Sequence, residues 1–291
     1  MLGCPPSPYR EVEVDLSEAN SDGPATRHAE AASTLRFSVA AMQSPRDTYA
    51  AYSKLFSRVG LLLGAHVEFV QRRTYREVND LLLDGTLDAA LLCTGGYFEL
   101  EGRAPVRVEP IAVPVVDGKT TYHSFIIVPA DSPATGIEDL RGKRFAFTDE
   151  LSFSGRAYAV HLLRRTNEAP ARFFGDTIFT HSHDRSVEAV ASGIVDGAAV
   201  DNLIYESIAT RHPEVGAKIR VIHRSPPFGM LPLIASPTLP ETMRARLRRA
   251  ILTLDRDAEA AAALRIVGIE RFVVPEPGLF ESARVVMEDA L

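Results

Sequence analysis

One pattern, used twice, limits the folds open to this chain. Residues 35–42 (LRFSVAAM) read as a buried strand that stops at Gln43-Ser44-Pro45. Residues 46–63 then carry Tyr49, Tyr52, Leu55, Phe56 and Val59 at helical spacing. Residues 66–71 alternate as a strand, 75–84 read as a helix closed by Gly85, and 88–93 (DAALLC) read as a strand. This βαβαβ order predicts a parallel sheet with helices on both faces. It returns as strand 144–148, helix 155–166, strand 177–181, helix 184–192 and strand 196–201. Two longer strands, 106–116 and 121–129, and a turn at 137–140 lie between the two runs. Strands at 218–223 and 230–235 and helices at 239–256 and 258–267 follow the second run.

The halves echo each other in sequence. Gly85-Thr-Leu-Asp-Ala-Ala-Leu-Leu-Cys93 resembles Gly193-Ile-Val-Asp-Gly-Ala-Ala-Val-Asp201. In both, a helix ends at Gly and an Asp (Asp88, Asp196) fixes the turn into a strand of small residues. Cys93 and Asp201 then fall at equivalent carboxyl ends of strands, the end that faces the crevice in open α/β sheets.

Residues 143–158 are the chemically richest stretch. The apolar strand Phe145-Ala146-Phe147 runs into Ser152-Phe153-Ser154-Gly155, and a helical pattern follows at once. The first N–H groups of a helix lack partners inside it, and its dipole is positive there, so such a junction can hold an anion. Serine is also an ordinary helix cap, and these residues alone leave both readings open.

With 291 residues, 46% hydrophobic and 24% charged, the chain is sized and composed as a globular protein of two domains or one large one. A net charge of −6 implies no basic face for nucleic acid. No Cys/His cluster suggests a metal, and no cofactor is implied. The chain has two cysteines, Cys4 and Cys93. Leu2-Gly3-Cys4 reads like the end of a bacterial lipoprotein signal, and residues 1–34 read as a polar tether, so lipidation at Cys4 is expected. The alternative is a cytosolic chain whose natural start is MLGC. If Cys4 is acylated, Cys93 is a lone thiol in an exported protein.

Three segments carry a family resemblance. YHSFIIVPADSPATGIEDLRGKRFAFTDELSFSG, HSHDRSVEAVASGIVDGAAVD and KIRVIHRSPPFGMLPLIAS resemble the phosphate/phosphonate substrate-binding proteins of ABC transporters, over about residues 35–285. The resemblance implies a type II periplasmic-binding-protein fold: two α/β lobes, two crossing strands and a ligand closed between the lobes. Lobe one is expected at 35–125, completed by helices within 235–291, and lobe two at 126–228. The family's anion loop corresponds to Ser152-Phe153-Ser154-Gly155, its histidine to His183 in Ser182-His183, and a family tyrosine to Tyr97 in Cys93-Thr94-Gly-Gly-Tyr97. An acidic position corresponds to Asp201 or to its neighbour Asn202. Gln43 and Ser44 would meet the ligand from lobe one, with Tyr49 and Thr94 near enough to touch it.

Two departures matter. The middle residue of the serine loop is Phe153, which keeps the N–H and loses a hydroxyl. The return segment Phe228-Gly229-Met230-Leu231-Pro232 has no acid where aminoalkylphosphonate binders carry one, which argues against 2-aminoethylphosphonate. The implied function is a periplasmic or cell-surface, lipid-anchored, monomeric binding protein that closes on a phosphonate, phosphite or phosphate-like oxyanion and delivers it to a permease. Two alternatives remain. An arsenite-type sensor would use Cys93, because thiolate suits arsenic(III), and would signal to a membrane sensor kinase. A hydrolase would use Ser152, His183 and Asp201, although no nucleophile elbow, Walker or dinucleotide fingerprint is present.

Overall fold

The computed structural model describes residues 34–290. Cys4 and the predicted tether lie outside the described residues. The first run is β1 (Thr34–Val39), α1 (Pro45–Leu63), β2 (His66–Phe69), α2 (Tyr75–Leu83), β3 (Ala89–Leu91), α3 (Thr94–Arg103) and β4 (Pro110–Val115). After the short β5 (Thr121–Tyr122) come β6 (Ser124–Pro129), β7 (Arg144–Phe147), α4 (Tyr158–Arg164), α5 (Pro170–Phe173) and β8 (Asp176–Phe179). That half continues with α6 (His183–Ala191), β9 (Gly197–Asp201), α7 (Asn202–Arg211), α8 (Pro213–Gly216) and β10 (Ile219–Arg224). The chain returns through β11 (Phe228–Gly229) to β12 (Leu233–Ala235), α9 (Glu241–Ile251), α10 (Ala258–Ile266), β13 (Arg271–Val273) and α11 (Glu281–Ala290).

Two sheets result. One has the order β2-β1-β3-β12-β4-β13, the other β8-β7-β9-β6-β10. β1 pairs in parallel with β2 and β3, as β7 does with β8 and β9. In each sheet the antiparallel fourth strand is the one that has just crossed from the other lobe: β12 beside β3, β6 beside β9. The two crossings meet in a ladder of two residues each, Phe228 opposite Tyr122 and Gly229 opposite Thr121.

The central strands are buried on both faces, as a helix-covered sheet requires, while the edge strands β2 and β8 have no buried residue. In β6, Phe125 and Ile127 join one core with Ala146, Val187 and Val200, while Ile126 and Val128 join another with Phe145, Phe147 and Leu163. In lobe one, Phe37 meets Phe56 of α1 edge to face at 5.4 Å. The alternation of period two puts successive side chains into different cores.

Several predicted elements differ in extent. The expected strand 121–129 breaks at His123, whose N–H donates to Asn202 Oδ1 at 2.7 Å, so the chain leaves one ladder and enters another. The expected helix at 155–166 starts earlier, as a π-helical turn over Phe153–Ala157 that runs into α4. The expected helix 239–256 is α9 followed by a 3₁₀ turn at Leu254–Arg256. α3, α7, β13 and α11 lie outside the sequence reading. α11 contacts both halves: Arg284 reaches Glu101 of α3 at 2.7 Å, and Asp289 reaches His161 of α4 at 2.6 Å.

Candidate functional site

The carboxyl ends of the parallel strands of both sheets point into one cleft, and each leads into the start of a helix. Four of the hydrogen bonds that join the lobes lie across it. His183 N–H donates to Met42 C=O (2.9 Å), and Ser44 N–H to Asp184 Oδ2 (2.9 Å). Tyr75 N–H donates to Asp149 Oδ2 (3.2 Å), and Phe153 N–H to Cys93 Sγ (3.4 Å).

Lobe two brings short polar side chains. Ser152 caps the π-helical turn by accepting the Gly155 N–H at 2.9 Å. Gly155 is required by space: a Cβ there would run into the Thr148 side chain and stand 2.8 Å from Ser152 Oγ. The Ser154 Oγ is fully buried with no partner within hydrogen-bond distance, while its carbonyl accepts from Ser124 Oγ at 2.7 Å. Ser182 Oγ is likewise buried without a partner. The Phe153 N–H is taken by Cys93 and the Gly155 N–H by Ser152. The Phe153 ring is core, edge-on to Phe228 at 4.7 Å.

His183, the first residue of α6, is fully buried. Its Nδ1 accepts the Asp201 N–H at 3.0 Å and lies 3.1 Å from Thr148 Oγ1. A nitrogen that accepts carries no proton, so the neutral ring bears its hydrogen on Nε2. Burial pushes its pKa down to about 3, which keeps it a neutral donor. Asp201 caps α7, with Oδ1 accepting from Leu203 (2.7 Å) and Ile204 (3.4 Å). Burial raises its pKa to about 7 despite those bonds.

Lobe one brings aromatic hydroxyls and the thiol. The Tyr75 hydroxyl, at the start of α2, is fully buried without a hydrogen-bond partner, and it faces Ser152 across the cleft. Tyr122 of β5 donates to Thr94 Oγ1 at 3.5 Å and faces Ser154. Thr94 itself donates to the Gly229 carbonyl at 3.0 Å. Cys93 stands at the start of α3, and burial pushes its thiol up to about 11, so it stays protonated. An unpartnered buried hydroxyl costs about 1–3 kcal/mol. Tyr75 of lobe one and Ser154 of lobe two each leave such a group.

Other predicted contacts lie elsewhere. Tyr97 sits one turn into α3, where its ring packs with Phe98 and Phe280 and its hydroxyl donates to Glu101 at 3.2 Å. Tyr49 is 55% exposed and stacks on Phe69. Ser44 caps α1 and its N–H holds Asp184. Gln43 lines a neighbouring cavity of about 680 Å³, with Tyr52, Asp201 and Glu206. Tyr75 is the residue that sequence reasoning missed. The rule that placed Cys93 and Asp201, applied to the end of β2, reaches it at the start of the next helix.

No triad geometry joins Ser152, His183 and Asp201. The histidine receives the Asp201 N–H, and the Asp201 carboxyl is spent on its own helix. Among the described residues, no group of three or more His, Cys, Asp or Glu is arranged to hold a metal ion. No Lys or Arg is among the buried residues described.

Comparison with known proteins fits this geometry. The chain is 25% identical over 218 residues to the phosphate-import protein PhnD of Mycolicibacterium smegmatis, covering 71% of this chain and 68% of that protein. It is 28% identical over 156 residues to the phosphonates-binding periplasmic protein of Escherichia coli, covering 52% of this chain and 46% of that one. Among solved structures, a binding-protein component of an ABC phosphonate transporter from Pseudomonas aeruginosa superposes with a TM-score of 0.82 at 21% identity, over 88% of this chain and 85% of that one. PhnD1 of Prochlorococcus marinus, in complex with methylphosphonate, superposes with a TM-score of 0.79 at 19% identity, over 88% and 97%. The family described as ABC transporter, phosphonate, periplasmic substrate-binding protein matches residues 37–278. The chain, with its two sheets of one order facing a shared polar cleft, belongs to that family.

Proposed function

We propose that this chain captures a small phosphorus oxyanion between its lobes and presents it to an ABC permease. The observation that carries this is the pair of buried, unpartnered hydroxyls, Tyr75 and Ser154, on opposite walls. Neither has a partner within hydrogen-bond distance, although Tyr75 lies near Ser152 and Ser154 near Tyr122, and a tetrahedral oxyanion would offer one to each. His183 Nε2–H and Ser152 add donors in the same place. Methylphosphonate, phosphite and phosphate are the first candidates, in keeping with the methylphosphonate held by the Prochlorococcus relative. Lobe one, with β1–β4, β12 and β13, would swing against lobe two about the β5–β11 ladder.

The arsenite reading gains nothing from the site, because Cys93 is a protonated thiol already engaged by Phe153. The hydrolase reading lacks an activated serine. We extend the proposal to a monomer tethered outside the cytoplasmic membrane by a lipid on Cys4. Cys4→Ala should release the protein from washed membranes; retention would remove the anchor from the reading.

The test is a melting curve with methylphosphonate, phosphite, phosphate, 2-aminoethylphosphonate, arsenate and arsenite. A ligand at one hundred times its Kd stabilises by about 2.7 kcal/mol. A phosphorus oxyanion is expected to raise Tm, and the shift should survive Cys93→Ser. A shift with arsenite alone, lost in Cys93→Ser, would overturn the proposal.

A further inference from the structure

Two acids of lobe two reach into lobe one. Asp149 follows β7, and Asp184 stands in the first turn of α6. Each carboxylate accepts a backbone N–H at the start of a lobe-one helix: Tyr75 N–H at 3.2 Å for Asp149, Ser44 N–H at 2.9 Å for Asp184. The first N–H groups of a helix have no partner inside it, and a carboxylate there meets the positive end of the helix dipole. At α2 the local caps are already committed. Thr74 Oγ1 accepts from Glu77, and Glu77 Oε2 accepts from Arg73 and Thr74, so the Tyr75 N–H goes to the other lobe.

Asp149 differs from Asp184 in what it joins. Its Oδ1 accepts the Leu151 N–H at 2.8 Å, and its carbonyl accepts the Ser152 N–H at 3.0 Å. One buried residue therefore holds, through their backbones, Tyr75 of lobe one and Ser152 of lobe two, whose side chains face each other in the cleft. The fit is close: the Leu151 carbonyl lies where a Cβ on Gly95 of α3 would stand. Asp184 joins the lobes at Ser44, whose hydroxyl is spent on Asp47 of its own helix.

We propose that Asp149 is a positioning residue: it sets Tyr75 against Ser152 when the lobes close, so closure itself assembles the lobe-one half of the oxyanion site. This rests on the oxyanion reading above. Asp184 holds the closed lobes together and places no ligand group. When the lobes part, the Tyr75 N–H and the Asp149 carboxylate return to water, and the Tyr75 ring loses its fixed place over the serine turn.

The test is a double-mutant cycle read by calorimetry with methylphosphonate. Asp149→Ser keeps a short acceptor for the Leu151 N–H and cannot span to Tyr75. It should weaken binding about tenfold or more, and adding Tyr75→Phe should then cost less than about threefold. Asp184→Ser should weaken binding through closure alone, and adding Tyr75→Phe to it should cost the full factor of about ten. Amide hydrogen exchange gives a second readout, on the unaltered chain. Methylphosphonate should slow exchange at Tyr75 by at least about tenfold. Asp149→Ser should abolish that slowing, while Val78 inside α2 stays protected. A folded Asp149→Ser that binds within about threefold of wild type overturns the proposal. So does an equal cost of Tyr75→Phe in both backgrounds, or a Tyr75 amide that methylphosphonate leaves unchanged. In each of those cases the oxyanion reading stands. Binding of no methylphosphonate by wild type overturns that reading, and the proposal with it.

Discussion

The two lobes share a strand order and use it differently. Where lobe two meets the cleft it places Ser152, Ser154, Ser182 and His183, groups whose polar atoms lie close to the backbone of capped turns. Where lobe one meets it, Tyr75 arrives on a helix start and Tyr122 on the crossing strand, with hydroxyls at the ends of long rings. Asp201 and Cys93 make the contrast sharpest. They occupy equivalent strand ends at the start of the next helix, yet one is an acid that caps its own helix and the other a thiol engaged by the opposite lobe. Topology therefore fixes where a cleft residue stands, while the side chain decides which lobe it serves. On the proposed function, lobe two forms the cradle and lobe one reaches over it.

The strongest way to break this division is at the cradle. Ser154→Leu fills the space of an unpartnered hydroxyl and should lower methylphosphonate affinity by more than about 100-fold, with the fold kept. Unchanged affinity by calorimetry would move the anion elsewhere. On the reaching side, Tyr75→Phe should have two opposite effects. It removes a buried hydroxyl that lacks a partner, so the ligand-free protein should gain up to ~1 kcal/mol, while affinity should fall about tenfold. Denaturant unfolding and calorimetry on the same sample would show both, and a stability loss would mean that Tyr75 is already satisfied.

The pH dependence of stability sharpens the comparison within lobe two. His183 has its pKa lowered from 6.5 to about 3, so its contribution is present above pH 6.5 and is lost as pH falls toward 3. Asp201 has its pKa raised from 3.8 to about 7, so its contribution is full below 3.8 and is lost as pH rises toward 7. Between about pH 4 and 6.5 the two slopes oppose, each at most ~1.4 kcal/mol per pH unit. Asp201→Asn should leave the histidine alone, and stability should then rise with pH across that window. A Tm profile parallel to wild type would contradict the buried assignments.

Smaller effects test the margins. Cys93→Ala removes a weak acceptor at the lobe contact and should change affinity less than about threefold. Tyr97→Phe should leave affinity unchanged and cost at most ~1 kcal/mol through the lost Glu101 bond. A large affinity loss in Tyr97→Phe would restore the role that the sequence suggested.

Much of this was legible beforehand. Both βαβαβ runs carry strong periodicity, the echo around Gly85 and Gly193 marks equivalent strand ends, and the Ser152–Gly155 turn announces itself. What escaped did so for physical reasons. α3 opens on Thr94-Gly95-Gly96, residues with little helical propensity, and it is held by packing: Gly95 lies against the backbone of Leu151 in the other lobe. With no helix expected there, Tyr97 looked like the end of a strand, although one helical turn carries it into the core. Tyr75 looked like the apolar start of an amphipathic helix, because no local pattern separates a ring that faces core from one that faces a cleft.

That no Lys or Arg is among the buried residues described also bears on how fast a ligand arrives. The chain carries a net charge of −6, and its cleft offers dipoles and no full positive charge. Dipole fields fade within a few ångströms, while the repulsion between a negative protein and a negative ligand extends over a Debye length of about 10 Å at 0.1 M salt. Encounter is thus opposed from outside and rewarded only on contact. Adding salt should speed capture by screening the repulsion and leave the dissociation rate nearly untouched, the reverse of a site built on arginine.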